Sequence, residues 1–239
     1  MVEQRARIAI EVLGDISCPW CYIAKLRFLR AAALLADSAV FEFTWIPVPW
    51  DREAPVEVDK QQYYESKMGA GKFRRQVLPK TIMLFEEEGL TYTLDGSMGC
   101  MLDCHRLLMW ANHKYGSSKQ GALLEKLYHA FHCEAKFVGS TPVGHANVVR
   151  AAVAAGLPGD EAQAVLADAG AYRAQAQQQA QQQAQQQAQQ QAQQQQAQLD
   201  EGPLQAASGA GGKQGRSEQQ SAKERVRSLL PPLLRRILT

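Results

Sequence analysis

The chain has 239 residues, and its 26 Lys+Arg against 24 Asp+Glu give a formal net charge of +2. Residues 1–173 carry 19 basic and 20 acidic side chains, residues 174–222 carry 2 and 3, and residues 223–239 carry 5 and 1. Nucleic-acid binding requires clustered positive charge, so this distribution excludes a basic face along the chain. No run approaches the roughly 20 apolar residues of a membrane-spanning helix, and the first residues lack a signal-peptide pattern, so a cytoplasmic protein is expected.

The first fifty residues predict a strand, a helix and a second strand. Alternating β-branched residues predict a strand over 8–14, and a proline followed by an apolar stripe predicts a helix over 19–36. Residues 40–46 are rich in β-branched and aromatic side chains, which is typical of a strand. Because the helix is long enough to cross over the sheet, the pattern indicates a βαβ unit with parallel strands.

Three prolines predict a loop over 47–59, and from residue 61 to residue 172 the strand signals give way to helical ones. An amphipathic stretch over 73–85 is interrupted near Pro79. Apolar residues at helical spacing predict four further helices, over 103–115, 123–131, 147–155 and 160–169. The sequence therefore predicts a helical block after the βαβ unit.

The C-terminal quarter has a different composition. Residues 174–198 contain only Ala and Gln, with no apolar face that could dock a helix, so a disordered or transiently helical linker is expected over 173–222. The tail 223–239 is basic, with apolar residues three and four positions apart and Pro231–Pro232 in its middle. Three hypotheses remain open for this tail: a helix packed on the core, a frayed end, or a helix that binds a partner or a membrane surface.

The strongest chemical signal is Cys18-Pro19-Trp20-Cys21 at the junction of the first strand and helix. The unpaired N–H groups and the dipole of a helix N-terminus stabilise a thiolate, so a cysteine placed there becomes a nucleophile. We expect Cys18 to attack a disulfide and Cys21, one turn further on, to resolve the mixed disulfide. The alternatives for an isolated CxxC, half of a zinc site or a coincidence, are disfavoured by the preceding strand and the continuing helix.

Four stretches together resemble a known family. Residues 15–25 read D-I-S-C-P-W-C-Y-I-A-K, which is similar to the active-site stretch of FrnE-type members of the DsbA-like thioredoxin superfamily. The segments at 45–47 (W-I-P), 103–107 (D-C-H-R-L) and 127–131 (L-Y-H-A-F) resemble further motifs of that family. The resemblance implies an α/β thioredoxin-like fold, with a βαβ half over 6–50 and an inserted helical domain over 51–172.

The chain also departs from the family pattern. Family members return from the helical insertion to a Gly-Val-Pro segment with a cis-proline and to the remaining strands, and the Ala/Gln tract stands in their place here. The C-terminal half of the sheet is therefore expected to be missing, which would leave the edge of the first strand unpaired.

The resemblance implies a thiol-disulfide oxidoreductase that acts on protein or small-molecule disulfides and binds neither cofactor nor metal. Two alternatives remain: a glutathione-dependent isomerase or transferase of the same superfamily, and an interaction protein with impaired catalysis. Glutathione is a candidate co-substrate, and a homodimer or a partner bound through the tail is a further expectation. Because a serine commonly replaces the first cysteine in the glutathione-dependent members, Cys18 together with Cys21 favours dithiol chemistry.

Three other residues are candidates for the site. Cys100 and Cys104 lie four apart on a predicted helix and hence on one face. They are interpreted as buried small side chains, with a second redox pair and, together with His105 and Cys133, a zinc site as the alternatives. His105 matches the family motif and is a candidate for lining the active-site cleft beside Pro19 and Trp20, with packing inside the helical block as the alternative.

Overall fold

The computed structural model describes residues 5–178 and, beyond them, residues 181–182, 185, 189 and 192–193. The strands and helices given below all belong to one unit of the chain, Met1–Ala184. The tail predicted over 223–239 and most of the linker predicted over 173–222 lie outside the described residues. Across the described part of the chain, no helix combines the length and the hydropathy that a bilayer crossing requires.

The N-terminal βαβ unit is confirmed. Strand β1 (Ala6–Gly14) leads into helix α1 (Pro19–Leu34), and strand β2 (Ala39–Pro47) returns beside β1 in parallel. The register runs from Ala6 opposite Ala39 to Gly14 opposite Pro47, so both strands end at the level where α1 begins. The loop that carries the cysteine motif is thereby placed at the carboxyl edge of the sheet.

The helical block fills the rest of the described chain. Its elements are β3 (Val58–Asp59), α2 (Lys60–Met68), α3 (Ala70–Lys72), a π-helix (Phe73–Val77), α4 (Leu78–Glu87), β4 (Ser97–Met98), α5 (Leu102–Cys133), α6 (Pro142–Ala154) and α7 (Gly159–Ala167). The predicted break near Pro79 falls where the π-helix passes into α4, and proline occupies the first turn of α4. The two helices predicted over 103–131 are continuous in α5 except at Gly116, whose φ of 82° interrupts the helical backbone.

One short pairing was not predicted. Strands β3 and β4 pair antiparallel over two residues each, Val58 opposite Met98 and Asp59 opposite Ser97. Two residues are too few to produce an alternating pattern in the sequence, and the pairing joins segments that are far apart in the chain. The pairing holds the start of α2 against the segment that precedes α5.

The outer edge of β2 is satisfied by a side chain of the helical block. The Gln120 side-chain amide donates to the Trp45 carbonyl at 2.7 Å and accepts from the Trp45 N–H at 2.9 Å. Gln120 is fully buried on α5, and its amide makes the two backbone hydrogen bonds that a neighbouring strand would make at Trp45. On the other side, no strand pairs with β1 apart from β2 within the described residues, which agrees with the expected loss of the remaining sheet.

A buried arginine fixes the end of the helical block. Arg106 on α5 is 1% exposed and forms an ion pair with Asp103 at 2.6 Å. Its guanidinium also donates to the carbonyls of Val165 at 2.7 Å and Ala171 at 2.6 Å, beside the C-terminus of α7. Carbonyls at a helix C-terminus have no partner within the helix, so Arg106 acts as a C-cap supplied from another element.

The start of the Ala/Gln tract differs from the prediction that it cannot dock. Residues 173–178 are helical, and Ala176 is only 4% exposed. An alanine buries little apolar surface, but it can approach a wall closely because its side chain is a single methyl group. The first turn of the tract therefore packs on the unit, whereas its sequence alone shows no apolar stripe.

Candidate functional site

The cysteine motif lies at the N-terminus of α1. Cys18 is the N-cap residue with extended backbone (φ −92°, ψ 106°), Pro19 is the first helical residue, and Cys21 lies in the first turn. No side chain caps this helix end, so its free N–H groups and the positive end of its dipole remain available to a sulfur anion. Both cysteines are free thiols of intermediate burial.

The two thiols titrate as one pair. Their side-chain hydrogen bond is the largest influence on both groups: it lowers the pKa of Cys21 and raises that of Cys18, while burial opposes ionisation of each sulfur. The backbone N–H of Cys21 acts in the other direction on Cys18 and lowers its pKa. Two strongly interacting thiols lose their protons in two steps that belong to the pair. The lowered pKa describes the loss of the first proton, and the raised pKa describes the loss of the second. A single thiolate in the pair is thereby favoured.

Asp15 organises the loop that precedes Cys18. Its Oδ1 accepts from the Ser17 N–H at 2.9 Å, its Oδ2 accepts from the Trp50 N–H, and its backbone carbonyl accepts from the Cys18 N–H at 3.1 Å. Burial alone would raise the pKa of Asp15, but His105 and the two backbone N–H groups together hold it below its ordinary value. The buried carboxylate is therefore ionised, and it ties the cysteine loop to the segment after β2.

Two side chains from the helical block hold the remaining carbonyls of this loop. The hydroxyl of Tyr64, on α2, donates to the Ser17 carbonyl at 2.6 Å. The imidazole of His132, on α5, lies with Nε2 at 2.9 Å from the Ile16 carbonyl, so Nε2 carries the proton and donates it. Burial lowers the pKa of His132 to about 3, so this ring is neutral. The loop between β1 and α1 is thus fixed from two separate helices.

Aromatic side chains surround the motif. Trp20 is 43% exposed, its Nε1 donates to Thr81 Oγ1 at 3.0 Å, and the Lys80 ammonium lies 5.0 Å from its ring centroid. Trp50 is 47% exposed and packs edge-on against Tyr63. Two accessible indoles therefore form an apolar rim near the two cysteines.

Gly14, the last residue of β1, makes room for the second cysteine. A Cβ at this position would lie 3.3 Å from the Tyr128 hydroxyl and 3.5 Å from Cys21 Sγ. The sheet edge, α1 and α5 meet at this point. A Cβ on Gly14 would therefore be in ordinary van der Waals contact with the Cys21 thiol and slightly too close to the Tyr128 hydroxyl.

A cleft lies beside the cysteine loop, and His105 is in its wall, where the sequence placed it as a candidate. The cleft has a volume of about 380 Å³ and is lined by Asp15 and Ser17 on one side and by residues before and within α5 on the other. His105 is 2% exposed, and its Nε2 lies 3.4 Å from Asp15 Oδ1, without the alignment of a hydrogen bond. His105 thus lies next to the cysteine loop, with the Asp15 carboxylate as its nearest charged group in that loop.

Cys100 and Cys104 do not share a helix face. Helix α5 begins at Leu102, so Cys100 lies on the preceding segment, and the prediction that placed both on one helix is wrong. Cys104 is completely buried, its thiol donates to the Val138 carbonyl at 2.7 Å, and burial raises its pKa far above the ordinary value. A neutral thiol held in this way is consistent with the structural interpretation, and the second redox pair stays a prediction.

The predicted zinc alternative has no matching geometry. Within the residues that the structure describes, no three His, Cys, Asp or Glu side chains converge on a point that could hold a metal ion. Cys104 in particular is directed at the Val138 carbonyl.

Sequence reasoning did not find three of the residues that build this site. Tyr64 and His132 donate to the cysteine loop from positions 47 and 116 residues away along the chain, and Trp50 contributes its backbone N–H. Nothing in the local pattern around Tyr64 distinguishes it from the neighbouring Tyr63. The role of Asp15 in this loop was predictable from the sequence, because an aspartate commonly accepts a hydrogen bond from the backbone N–H two residues further on.

Comparisons with known proteins cover most of this unit. The family model of the DSBA-like thioredoxin domain matches residues 9–198, a region that includes the cysteine motif and the helical block. The crystal structure of a probable DsbA oxidoreductase from Streptomyces coelicolor is 28% identical in sequence with a TM-score of 0.61, and the match covers 74% of this chain and 75% of that chain. A structure of a candidate protein disulfide isomerase from Nitrosomonas europaea is 14% identical with a TM-score of 0.45, covering 73% of this chain and 74% of that chain. No curated protein matches the chain by sequence.

Proposed function

Because the chain belongs to the DSBA-like thioredoxin domain family, we propose that it is a thiol-disulfide oxidoreductase whose reacting groups are Cys18 and Cys21. Family membership confirms the predicted thioredoxin-like α/β fold and supports an oxidoreductase role in general. The FrnE-type subgroup stays a prediction. The observation that carries the proposal is the pair of free thiols, Cys18 at the N-cap and Cys21 in the first turn, at a helix N-terminus that no side chain caps.

The proposed reaction exchanges two electrons between the dithiol and a substrate disulfide. The thiolate of Cys18 attacks one sulfur of the substrate, a Cys18–substrate disulfide forms, and the other substrate sulfur leaves as a thiolate. Cys21 then transfers its proton to solvent and attacks the Cys18 sulfur, which releases the second substrate thiolate and leaves a Cys18–Cys21 disulfide. The substrate is reduced and the dithiol is oxidised, and the same steps in reverse oxidise a substrate dithiol.

Cys18 is proposed as the attacking group for two reasons. It is the N-cap residue of α1, where the free N–H groups and the helix dipole stabilise a sulfur anion. The hydrogen bond with Cys21 raises the pKa of Cys18, and the single thiolate of the pair is shared between the two sulfurs. Cys21 lies in the first turn of the helix beside Gly14, whereas Cys18 precedes the helix. These positions suit a nucleophile that meets substrate first and a thiol that resolves the intermediate.

Two assays test the proposal. Reduction of insulin disulfides should be lost in Cys18→Ser, because serine is not a nucleophile for disulfides at neutral pH. Cys21→Ser should accumulate a mixed disulfide with substrate, which intact-mass spectrometry detects. If Cys18→Ser kept full turnover, the dithiol mechanism would be wrong and a glutathione-dependent transferase or isomerase of the same family would be favoured. Inactivity of the wild-type chain with folding intact would favour the interaction protein.

The substrate, the co-substrate and the place of action complete the proposal. We propose protein or small-molecule disulfides as substrates and glutathione as the thiol that returns the oxidised dithiol to its reduced form. Two glutathione molecules would become one glutathione disulfide in each cycle, so their consumption measures the stoichiometry. The cytoplasm is proposed as the place of action because five cysteines in two close pairs and a single suit a reducing compartment.

A further inference from the structure

Strand β1 has an open edge. On one side it pairs in parallel with β2, and among the described residues no strand pairs with it on the other side. The Gly14 carbonyl accepts from the Val48 N–H at 3.0 Å, so the backbone groups of Gly14 point toward β2. Because the direction of these groups alternates along a parallel strand, the odd-numbered residues of β1 point theirs away from the sheet. The exposed residues with outward N–H and C=O groups are Arg7, Ala9, Glu11 and Leu13.

The face of β1 that meets α1 is apolar up to this edge. Ile8 and Ile10 lie on that face, because Phe43, the register partner of Ile10, stacks on Phe28 of α1 with the ring centroids 6.4 Å apart. Ile8 is 41% exposed and Phe28 is 43% exposed. A strand edge with free backbone groups and exposed apolar side chains is a template for pairing with another strand.

The opposite face of β1 carries charges that complement each other across a symmetry axis. Arg7 and Glu11 lie on that face, two residues before and two residues after Ala9, and both are exposed. When two copies of β1 pair antiparallel about a two-fold axis at Ala9, Arg7 of each copy lies opposite Glu11 of the other. The same register places Ile8 opposite Ile10, at a position where the side chains of antiparallel strands approach most closely. Charge and apolar contacts therefore favour the same register.

Other symmetric registers are less favourable. An axis at Arg7 places two arginines opposite each other, which is destabilising. An axis at Ile8 pairs Glu11 with Arg5, whose guanidinium already donates to a backbone carbonyl at 2.7 Å, and it leaves Arg7 opposite an alanine. An axis at Ile10 pairs neither charge with an opposite charge.

We propose that the open edge of β1 binds β1 of a second copy of this chain, antiparallel and centred on Ala9, so that two βαβ units form one continuous sheet. The outward backbone groups at Arg7, Ala9 and Glu11 then exchange hydrogen bonds across the two-fold axis. Such an interface is isologous, which is the commonest arrangement of homodimers. The inference is independent of the proposed function, because neither Cys18 nor Cys21 takes part in it.

Two charge-reversal variants test the register. Glu11→Arg leaves only cations at these two positions and Arg7→Glu leaves only carboxylates, so a homodimer of either variant places like charges opposite each other. Sedimentation velocity should show a wild-type dimer and a dissociation constant about 10- to 100-fold higher for each variant alone. Mixed in equal amounts, the two variants should form a heterodimer close to the wild-type dimer in stability, because every cross-strand pair is again of opposite charge.

Three further variants serve as controls and as a second test. Glu86→Arg and Arg75→Glu reverse exposed charges on the helical block and should leave the dimer intact. Ala9→Pro removes an N–H that points away from β2, and proline is tolerated at such an edge position. This variant should be monomeric with an unchanged far-ultraviolet circular dichroism spectrum.

Three outcomes would overturn the inference. A wild-type chain that is monomeric at every concentration would show that no second copy binds the β1 edge. A dimer that is insensitive to both charge reversals and to Ala9→Pro would show that the copies associate through another surface. Charge-reversal variants that are folded and monomeric but do not associate when mixed would refute the antiparallel register.

Discussion

The hydroxyl of Tyr64 offers a sensitive test of how the helical block holds the cysteine loop. It donates to the Ser17 carbonyl at 2.6 Å, and the tyrosine is only 1% exposed. The substitution Tyr64→Phe keeps the ring and its stacking on Phe73, whose centroid lies 5.8 Å away, and removes only the donor. The carbonyl immediately before Cys18 then loses this hydrogen bond while it stays buried.

The expected loss of stability follows from the burial. A hydrogen bond contributes about 1 kcal/mol net, and a buried acceptor left without a partner costs about 1–3 kcal/mol, so Tyr64→Phe should lower the free energy of unfolding by about 2 kcal/mol. With a urea m-value of about 2 kcal/mol/M, the midpoint of denaturation should fall by about 1 M. Circular dichroism followed against urea concentration measures this shift.

Tyr63→Phe is the matched control, because Tyr63 precedes Tyr64 on the same helix and is 4% exposed. Its hydroxyl donates to Asp51 at 2.6 Å, but Asp51 keeps the Lys67 ammonium, also at 2.6 Å. The acceptor therefore retains a partner, and the loss should be below about 1 kcal/mol.

Activity separates a loosened loop from a general loss of stability. In folded Tyr64→Phe under native conditions, kcat/KM for insulin reduction should fall by about tenfold, because Cys18 is held less firmly for attack. Tyr63→Phe should remain close to wild type. If the two variants shared one denaturation midpoint and one rate, the idea that Tyr64 fixes the loop would have to be abandoned.

Three further substitutions test other parts of the structure. Because the pKa of His132 is lowered to about 3, the unfolded state takes up a proton below pH 6.5 and the folded state does not, so stability should fall by about 2 kcal/mol from pH 7 to pH 5. His132→Gln should flatten this part of the pH profile. His129→Gln, whose side chain is 43% exposed, should not, and equal profiles for the two variants would contradict the assignment. Cys104→Ala should cost about 1–2 kcal/mol in urea denaturation with unchanged turnover, and lost turnover would instead support the second redox pair. Arg106→Leu should lower the free energy of unfolding by about 3–5 kcal/mol in urea denaturation, because it leaves the Asp103 carboxylate without its guanidinium partner. A loss below about 1 kcal/mol would show that the bonds from Arg106 to the end of α7 contribute little to stability.

The local sequence pattern was sufficient to predict the βαβ unit and the position of the two cysteines at the start of α1. The periods of apolar residues and the proline at the start of α1 are properties of neighbouring residues, and they predicted the elements over 6–47 within a few residues. The interruption of the helix at Gly116 and the pairing of β3 with β4 could not be predicted, because one is a single backbone angle and the other joins two distant dipeptides.

The sequence by itself determined the position of a CxxC motif at a helix N-terminus, in an order of elements typical of one family. The tertiary structure decided which groups serve that motif. Tyr64 and His132 reach the loop across 47 and 116 residues of chain, and His105 and Arg52 meet only as the wall of a cleft. Helix and strand signals depend on residues a few positions apart, whereas hydrogen-bond partners and cleft walls depend on how whole elements pack, and no local period records that packing.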